Sequence, residues 1–97
     1  MRAKELIEDG RLGKIVSFRC AYLHASCTDL GKKAGWKQDR TICGGGVLFD
    51  LVSHAIDLVY YLCGRFRGVT GMSQIAHPVR PGMDGKEWHT NADEAFY

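Results

Sequence analysis

The chain has 97 residues, 45% hydrophobic and 25% charged, with thirteen Lys and Arg against eleven Asp and Glu. That length bounds it to one domain, at the small end for a self-sufficient core, and the composition excludes a disordered tail or a collagen-like repeat. A formal net charge of +2, spread along the chain, excludes a dedicated nucleic-acid or membrane-surface binder.

No run reaches the ~18 apolar residues that a membrane span needs. The longest apolar segment, 44–63, is interrupted by Asp50, His54 and Asp57. The charged N-terminus, Met1-Arg2-Ala3-Lys4-Glu5, leads into no apolar stretch with a small-residue cleavage site, so no signal peptide is expected. Cys20, Cys27, Cys43 and Cys63 form no Cys-x-x-Cys pair, and free thiols in a reducing, cytoplasmic compartment are the expectation.

Residues 3–9 are mostly good helix formers, with Gly10 as a C-terminal stop. The apolar side of that helix, Ala3, Leu6 and Ile7, needs another element to lie on. From Lys14 to His24 the chain alternates in part and is rich in β-branched and aromatic residues. Val16, Phe18, Cys20 and Tyr22 share one face and Ser17 and Arg19 the other, which predicts a half-buried strand. Residues 25–42 have no clean period and read as a long loop, a kind of element that in compact domains is often functional. Gly44-Gly45-Gly46 opens the strongest predicted helix, 46–63, closed by Gly64. A second strand is expected from Phe66 to His77. Pro78 and Pro81 then interrupt the pattern and predict a polar connection through Gly82, Asp84 and Gly85. Thr90 to Tyr97 reads as the start of another strand, and the chain ends inside it, leaving a sheet edge open.

The informative element is the helix 47–63. It is apolar almost all round, so burial on most sides is expected. On a uniform α-helix Asp50, His54 and Asp57 fall within an arc of about 60°. Carboxylates and an imidazole are costly to bury unless they are paired or line a wet cleft, and the i, i+4 spacing lets Asp50 reach and orient His54. The bland alternative is a polar helix edge facing water. Three successive glycines allow positive φ and close approach of another molecule, and they set helix-start N–H groups where an anion or polar substrate group is served. The glycines are no dinucleotide fingerprint, since Phe49 stands where Gly-x-Gly-x-x-Gly needs its last glycine. No Gly-Lys-Ser/Thr follows them either.

Trp36-Lys37, followed by Gly44-Gly45-Gly46-Val47-Leu48-Phe49-Asp50-Leu51-Val52-Ser53-His54-Ala55-Ile56-Asp57, resembles the signature of the glucose–fructose oxidoreductase / inositol dehydrogenase / MocA (Gfo/Idh/MocA) family. That signature runs approximately Trp-Arg…Gly-Gly-Gly-x-Leu-x-Asp-x-Gly-x-His-x-x-Asp. Residues 3–15 resemble the family's helix and turn into the first strand of its second domain. The resemblance implies a fragment of the C-terminal domain of an NAD(P)-dependent dehydrogenase acting on a sugar, polyol or related hydroxy compound. It implies an α/β fold of the α+β type, with helices on one face of a mostly antiparallel open sheet, incomplete over residues 1–97. His54 becomes the catalytic acid/base and Asp50 its orienting partner or a substrate contact. Trp36, Lys37, Gly45 and Asp57 become substrate-side residues. NAD or NADP is held mainly by an N-terminal Rossmann domain absent from these residues, and the parent is expected to oligomerise through its sheet.

Two departures stand out. Val52 occupies the position where the family usually carries glycine, and the Glu-Lys-Pro segment with the family's catalytic lysine is absent. The isolated chain is therefore expected neither to bind NAD(P) nor to turn over. Two metal readings compete weakly: a structural zinc on Cys20, His24, Cys27 and Cys43, and a catalytic metal on Asp50 and His54 with His24. His77 and His89 read as surface or loop residues, and Trp36 and Trp88 as core or lid aromatics. The rival to the enzyme reading is a non-catalytic truncated domain that self-associates through its sheet edges.

Overall fold

The computed structural model describes residues 1–25 and 28–97. The first helix, α1 (Arg2–Glu8), forms where its propensities place it, and Gly10, at φ +71°, turns the chain away. It packs against the later helix Ser53–Cys63, with Lys4 Nζ 5.6 Å from the centre of the Tyr61 ring.

Residues 14–24, expected as a half-buried strand, pair with no strand among the described residues. Residues 11–25 are exposed on both faces, Val16 at 90% and Leu23 at 89%. Alternation makes a strand only where a neighbour takes the ladder hydrogen bonds, and no described strand does so here. The loop that follows contains a 3-10 turn (Trp36–Gln38) and a one-turn helix, α2 (Arg40–Cys43). Asp39 caps α2, its Oδ1 accepting the Thr41 N–H at 2.9 Å and the Thr41 hydroxyl at 2.7 Å.

From Val47 the chain is helical to Cys63, and Gly64, at φ +88°, closes it as expected. The first turn, Leu48–Val52, is π-helical, and only Ser53–Cys63 (α3) is regular α-helix. The Ser53 N–H reaches back to the Leu48 carbonyl. The Phe49 carbonyl, which an α-turn would pair with that N–H, instead accepts the Ser53 hydroxyl at 2.7 Å. Burial on most sides does not occur. Leu62 is the buried residue of α3, while Phe49, Ile56, Tyr60 and Tyr61 stand exposed. By length and composition alone the segment Arg40–Cys63, 24 residues with a mean hydropathy of 1.5, is long and apolar enough to cross a bilayer. Asp50, His54 and Asp57 break the run without lowering its mean far enough. The core helix of a soluble protein has the same composition, so the property describes an apolar surface in need of cover.

The strands form two antiparallel ribbons. β1 (Ser73–Gln74) pairs with β4 (Ala95–Phe96), and β2 (Val79–Pro81) with β3 (Glu87–His89). The strand expected over 66–77 is thus realised only around 72–74, where Met72 and Tyr97 exchange backbone bonds of 2.9 and 2.8 Å. The expected polar connection after Pro78 is instead a hairpin, its turn closed by the Gly82 N–H on the Lys86 carbonyl at 2.6 Å. Pro81 is tolerated because a two-stranded ribbon leaves half its backbone groups outside the ladder, and its carbonyl accepts the Ala34 N–H at 2.8 Å. Helices with antiparallel strands make the chain α+β, as expected, although among the described residues the strands do not join into one open sheet.

The packed centre lies where the loop 34–48 meets 78–97. Ala34, Thr90 and Ala92 are buried there, and so is Arg80, 2% exposed. Glu94 Oε1 accepts from Arg80 Nε at 3.0 Å and Nη2 at 2.8 Å, and Arg80 Nη1 donates to the Asp29 carbonyl at 3.0 Å. A buried guanidinium is tolerable only with partners of this kind.

Candidate active site

The start of the π-turn is held from the far end of the chain. Asp93 Oδ1 accepts the Gly46 N–H at 3.0 Å and Oδ2 accepts the Leu48 N–H at 2.8 Å. Its main-chain carbonyl takes the Val47 N–H at 2.9 Å. One residue therefore fills the three amides that the triple glycine leaves at the helix start. The expectation that these amides await an anion or substrate group is corrected: the approaching molecule is the chain itself. Gly46 is buried, and a Cβ there would overlap the main-chain carbonyl of Asp93. A Cβ on Gly45 would stand 2.5 Å from the Phe49 ring. These two glycines admit close packing within the chain.

Asp50 projects from this π-turn into a cavity of about 610 Å³ whose walls include Trp36, Lys37, Gly45, His24 and His77. Lys37 Nζ lies 2.6 Å from Asp50 Oδ2 and 5.5 Å from the centre of the Trp36 ring. The two charged side chains are 53% and 48% exposed, so the pair contributes at most about 1 kcal/mol to stability. Its effect is to set a carboxylate and an ammonium group side by side on an open wall, where a polar ligand meets both a donor and an acceptor.

The structure brings Trp36, Lys37, Gly45 and Asp50 together in this cavity. It does not bring Asp57 there, which lines a separate apolar groove with Ile56, Tyr60 and Phe66. A π-turn takes in one extra residue and rotates the side chains after it by up to about 100° from a uniform helix. The single polar stripe drawn on an ideal helix is divided for that reason. His54 is exposed, lines neither of these hollows and has no hydrogen-bond partner among the described residues. The expected hydrogen bond from Asp50 to His54 is replaced by the Asp50–Lys37 pair.

Residues missed in the sequence are Asp93, Glu94 and Arg80. His77 lies in a loop, as read, half-buried on the cavity wall, and its backbone N–H donates to Glu94 Oε2 at 2.8 Å. His89 is exposed on β3, as read. Trp88 is half-buried opposite Arg80, consistent with a core aromatic, whereas Trp36 is exposed beside Lys37. Among the described residues no three His, Cys, Asp or Glu side chains gather as metal ligands. Cys20, Cys43 and Cys63 are free thiols, and Cys27 lies outside the described residues.

Fold and signature together point to the C-terminal domain of an oxidoreductase family. The model of the GFO/IDH/MocA C-terminal domain matches residues 1–96, and the chain belongs to that family. It is 37% identical over 83 residues to levoglucosan dehydrogenase of Pseudarthrobacter phenanthrenivorans, covering 86% of this chain and 21% of that protein. An uncharacterized oxidoreductase of Schizosaccharomyces pombe is 37% identical over 81 residues, again 21% of its length. Among solved structures, levoglucosan dehydrogenase in complex with NADH and L-sorbose superposes with a TM-score of 0.90 at 33% identity, over 97% of this chain and 26% of that one. An NAD binding oxidoreductase from Klebsiella pneumoniae gives 0.89 at 28% identity, over 98% and 25%. The chain thus spans about a fifth to a quarter of the relatives it matches.

Proposed function

We propose that residues 1–97 are part of the C-terminal substrate domain of an NAD(P)-dependent cytoplasmic dehydrogenase that oxidises a hydroxyl of a sugar, polyol or related compound. The observation that carries this reading is the helix-borne Asp50 and His54 within the family signature, with Asp50 paired to Lys37 on the wall of a substrate-sized cavity. The complexes of the related levoglucosan dehydrogenase, with NADH and L-sorbose or levoglucosan, agree in chemical class.

The sequence contains no Gly-x-Gly-x-x-Gly, and Asp93 fills the amides at the triple glycine, so those amides do not serve as a phosphate cradle. NAD or NADP belongs to a Rossmann domain elsewhere in the protein. The cofactor, when bound, would supply the hydride acceptor for the carbon that bears the reacting hydroxyl. His54 takes the hydroxyl proton on its imidazole, a side chain suited to reversible proton transfer near neutral pH. Its exposure leaves both ring nitrogens open to a substrate held against the cofactor domain. Asp50 and Lys37 bind neighbouring hydroxyls, the carboxylate accepting and the ammonium donating, and Trp36 offers an aromatic face to the sugar's C–H bonds. Gly45 supports the pocket wall, whereas Asp57, on the separate apolar groove, serves the helix and not the substrate.

In the complete enzyme, His54→Ala is expected to lower kcat by about two or more orders of magnitude, because general acid/base groups contribute 10²–10⁴-fold. Steady-state turnover within a few fold of the parent would remove His54 from the mechanism. The exposed 11–25 segment favours a second reading, a non-catalytic domain associating through unpaired strand-forming segments. The intact mass of the natural protein separates the two, since the enzyme reading requires a chain several times longer.

A further inference from the structure

We infer that Asp93 is a positioning residue for the reaction: it sets the depth and rotation of the π-turn that presents Asp50, and through it the following turn that carries His54. The inference rests on the dehydrogenase reading and goes beyond it, because Asp93 lies outside the signature and touches no reacting group.

Three observations converge. Asp93 supplies three acceptors to three successive amides, Gly46, Val47 and Leu48, across a sequence separation of more than forty residues. These are the amides immediately before and at the start of the π-turn Leu48–Val52. Both carboxylate oxygens are used, one on each side of the Val47 bond, so the helix start can neither rotate nor slide without losing a charge-assisted bond. Second, Gly46 has no room for a Cβ against Asp93, so the two main chains are in direct contact and no adjustable side chain intervenes. Third, Asp93 is itself anchored. Its neighbour Glu94 is locked by Arg80 at 2.8 Å and donates its own N–H to the Gln74 carbonyl at 2.8 Å, and β4 begins one residue later. The start of the site helix is thereby registered to β1, β4 and the buried guanidinium. A helix N-terminus carries a partial positive charge, and the Asp93 carboxylate neutralises it there, so the amides are spent on alignment instead of ligand binding. A misplacement of about 1 Å costs up to about 10²-fold in rate when reacting groups must meet in line.

The test uses the complete enzyme with Asp93→Ala, Asp93→Asn and, as reference, His54→Ala. Asp93→Ala is expected to lower kcat by about ten- to a hundredfold while the KM for the coenzyme changes less than about twofold. The primary isotope effect on kcat with substrate deuterated at the oxidised carbon should rise, because the chemical step becomes limiting. A merely structural role leaves that isotope effect unchanged. Asparagine, which keeps one acceptor oxygen and loses the other, should recover part of the rate. Coenzyme-binding stoichiometry by fluorescence titration counts folded sites, so rates are given per site, and the asparagine variant serves if the alanine variant fails to fold. A per-site kcat within about threefold of the parent in the folded variants, or a loss with an unchanged isotope effect, overturns the inference. Full activity in His54→Ala would sink the underlying catalytic reading instead, whereas an inactive His54→Ala beside an undisturbed Asp93→Ala would sink only the positioning role.

Discussion

Gly46 shows how one missing Cβ organises the site. The Asp93 main chain occupies the space a side chain would need, and in exchange the Gly46 amide reaches the Asp93 carboxylate at 3.0 Å. Gly46→Ala is expected to lower stability by about 2–3 kcal/mol through overpacking and strained hydrogen bonds, measured by denaturant unfolding of the complete protein. A loss below about 0.5 kcal/mol would mean that the Asp93 segment yields freely. Asp50 differs in kind. Its half-exposed pair with Lys37 contributes little to stability, so its chemistry concerns whatever occupies the cavity. Three glycines in a row were legible as a place of close approach. What approaches was not, because no local pattern links residues 46 and 93.

At the scale of elements, the site helix and strand β4 depend on each other. The helix 47–63 was legible from its apolar run and Gly64, but an ideal period of 3.6 residues hides the π-turn, which shows only in hydrogen bonding. That turn separates Asp50 from Asp57 and directs them to different hollows. β4 is held in place by Glu94, whose side chain is 3% exposed against 1% for Arg80. Glu94→Ala should destabilise by about 3–5 kcal/mol, since it leaves a buried guanidinium without its charge partner. The double variant Arg80→Met with Glu94→Leu should regain most of that loss in thermal unfolding. A double variant no more stable than Glu94→Ala would show that the polar network also specifies the packing. No local pattern marks Arg80, between two prolines, or Glu94 as interior; tertiary contact alone buries their side chains.

The whole molecule measures 56 × 24 × 19 Å with a radius of gyration of 17.4 Å, where a compact 97-residue domain would have about 12.5 Å. Its accessible surface is 7665 Å² against roughly 5,500 Å² for a compact monomer of its mass. The excess of roughly 2,000 Å² is the size of an obligate interface. Much of it is apolar: Val16, Leu23, Phe49, Ile56 and Tyr60 all face outward. The chain spans a fifth to a quarter of its relatives' length, and an apolar surface of this extent is of the kind that further protein covers. A peptide of residues 1–97 is expected to show no NADH binding by fluorescence titration; micromolar affinity would place the cofactor site within these residues and overturn their assignment to the substrate side.

By itself the sequence determined what is local or repeated within one turn: α1 and its glycine stop, the triple glycine, the helix that follows, and the family signature with Asp50 and His54. These follow from propensity, capping and spacing, which neighbouring residues decide among themselves. The 14–24 segment, which joins no strand among the described residues, the hairpin 79–89, the π-turn and the burial of Arg80 were decided only in three dimensions. Each depends on a partner distant in the chain, or on the lack of one: a strand needs a neighbour for its ladder, and a buried charge needs its counterion. The three amides at Gly46, Val47 and Leu48, open in the linear reading, are closed by Asp93 for the same reason.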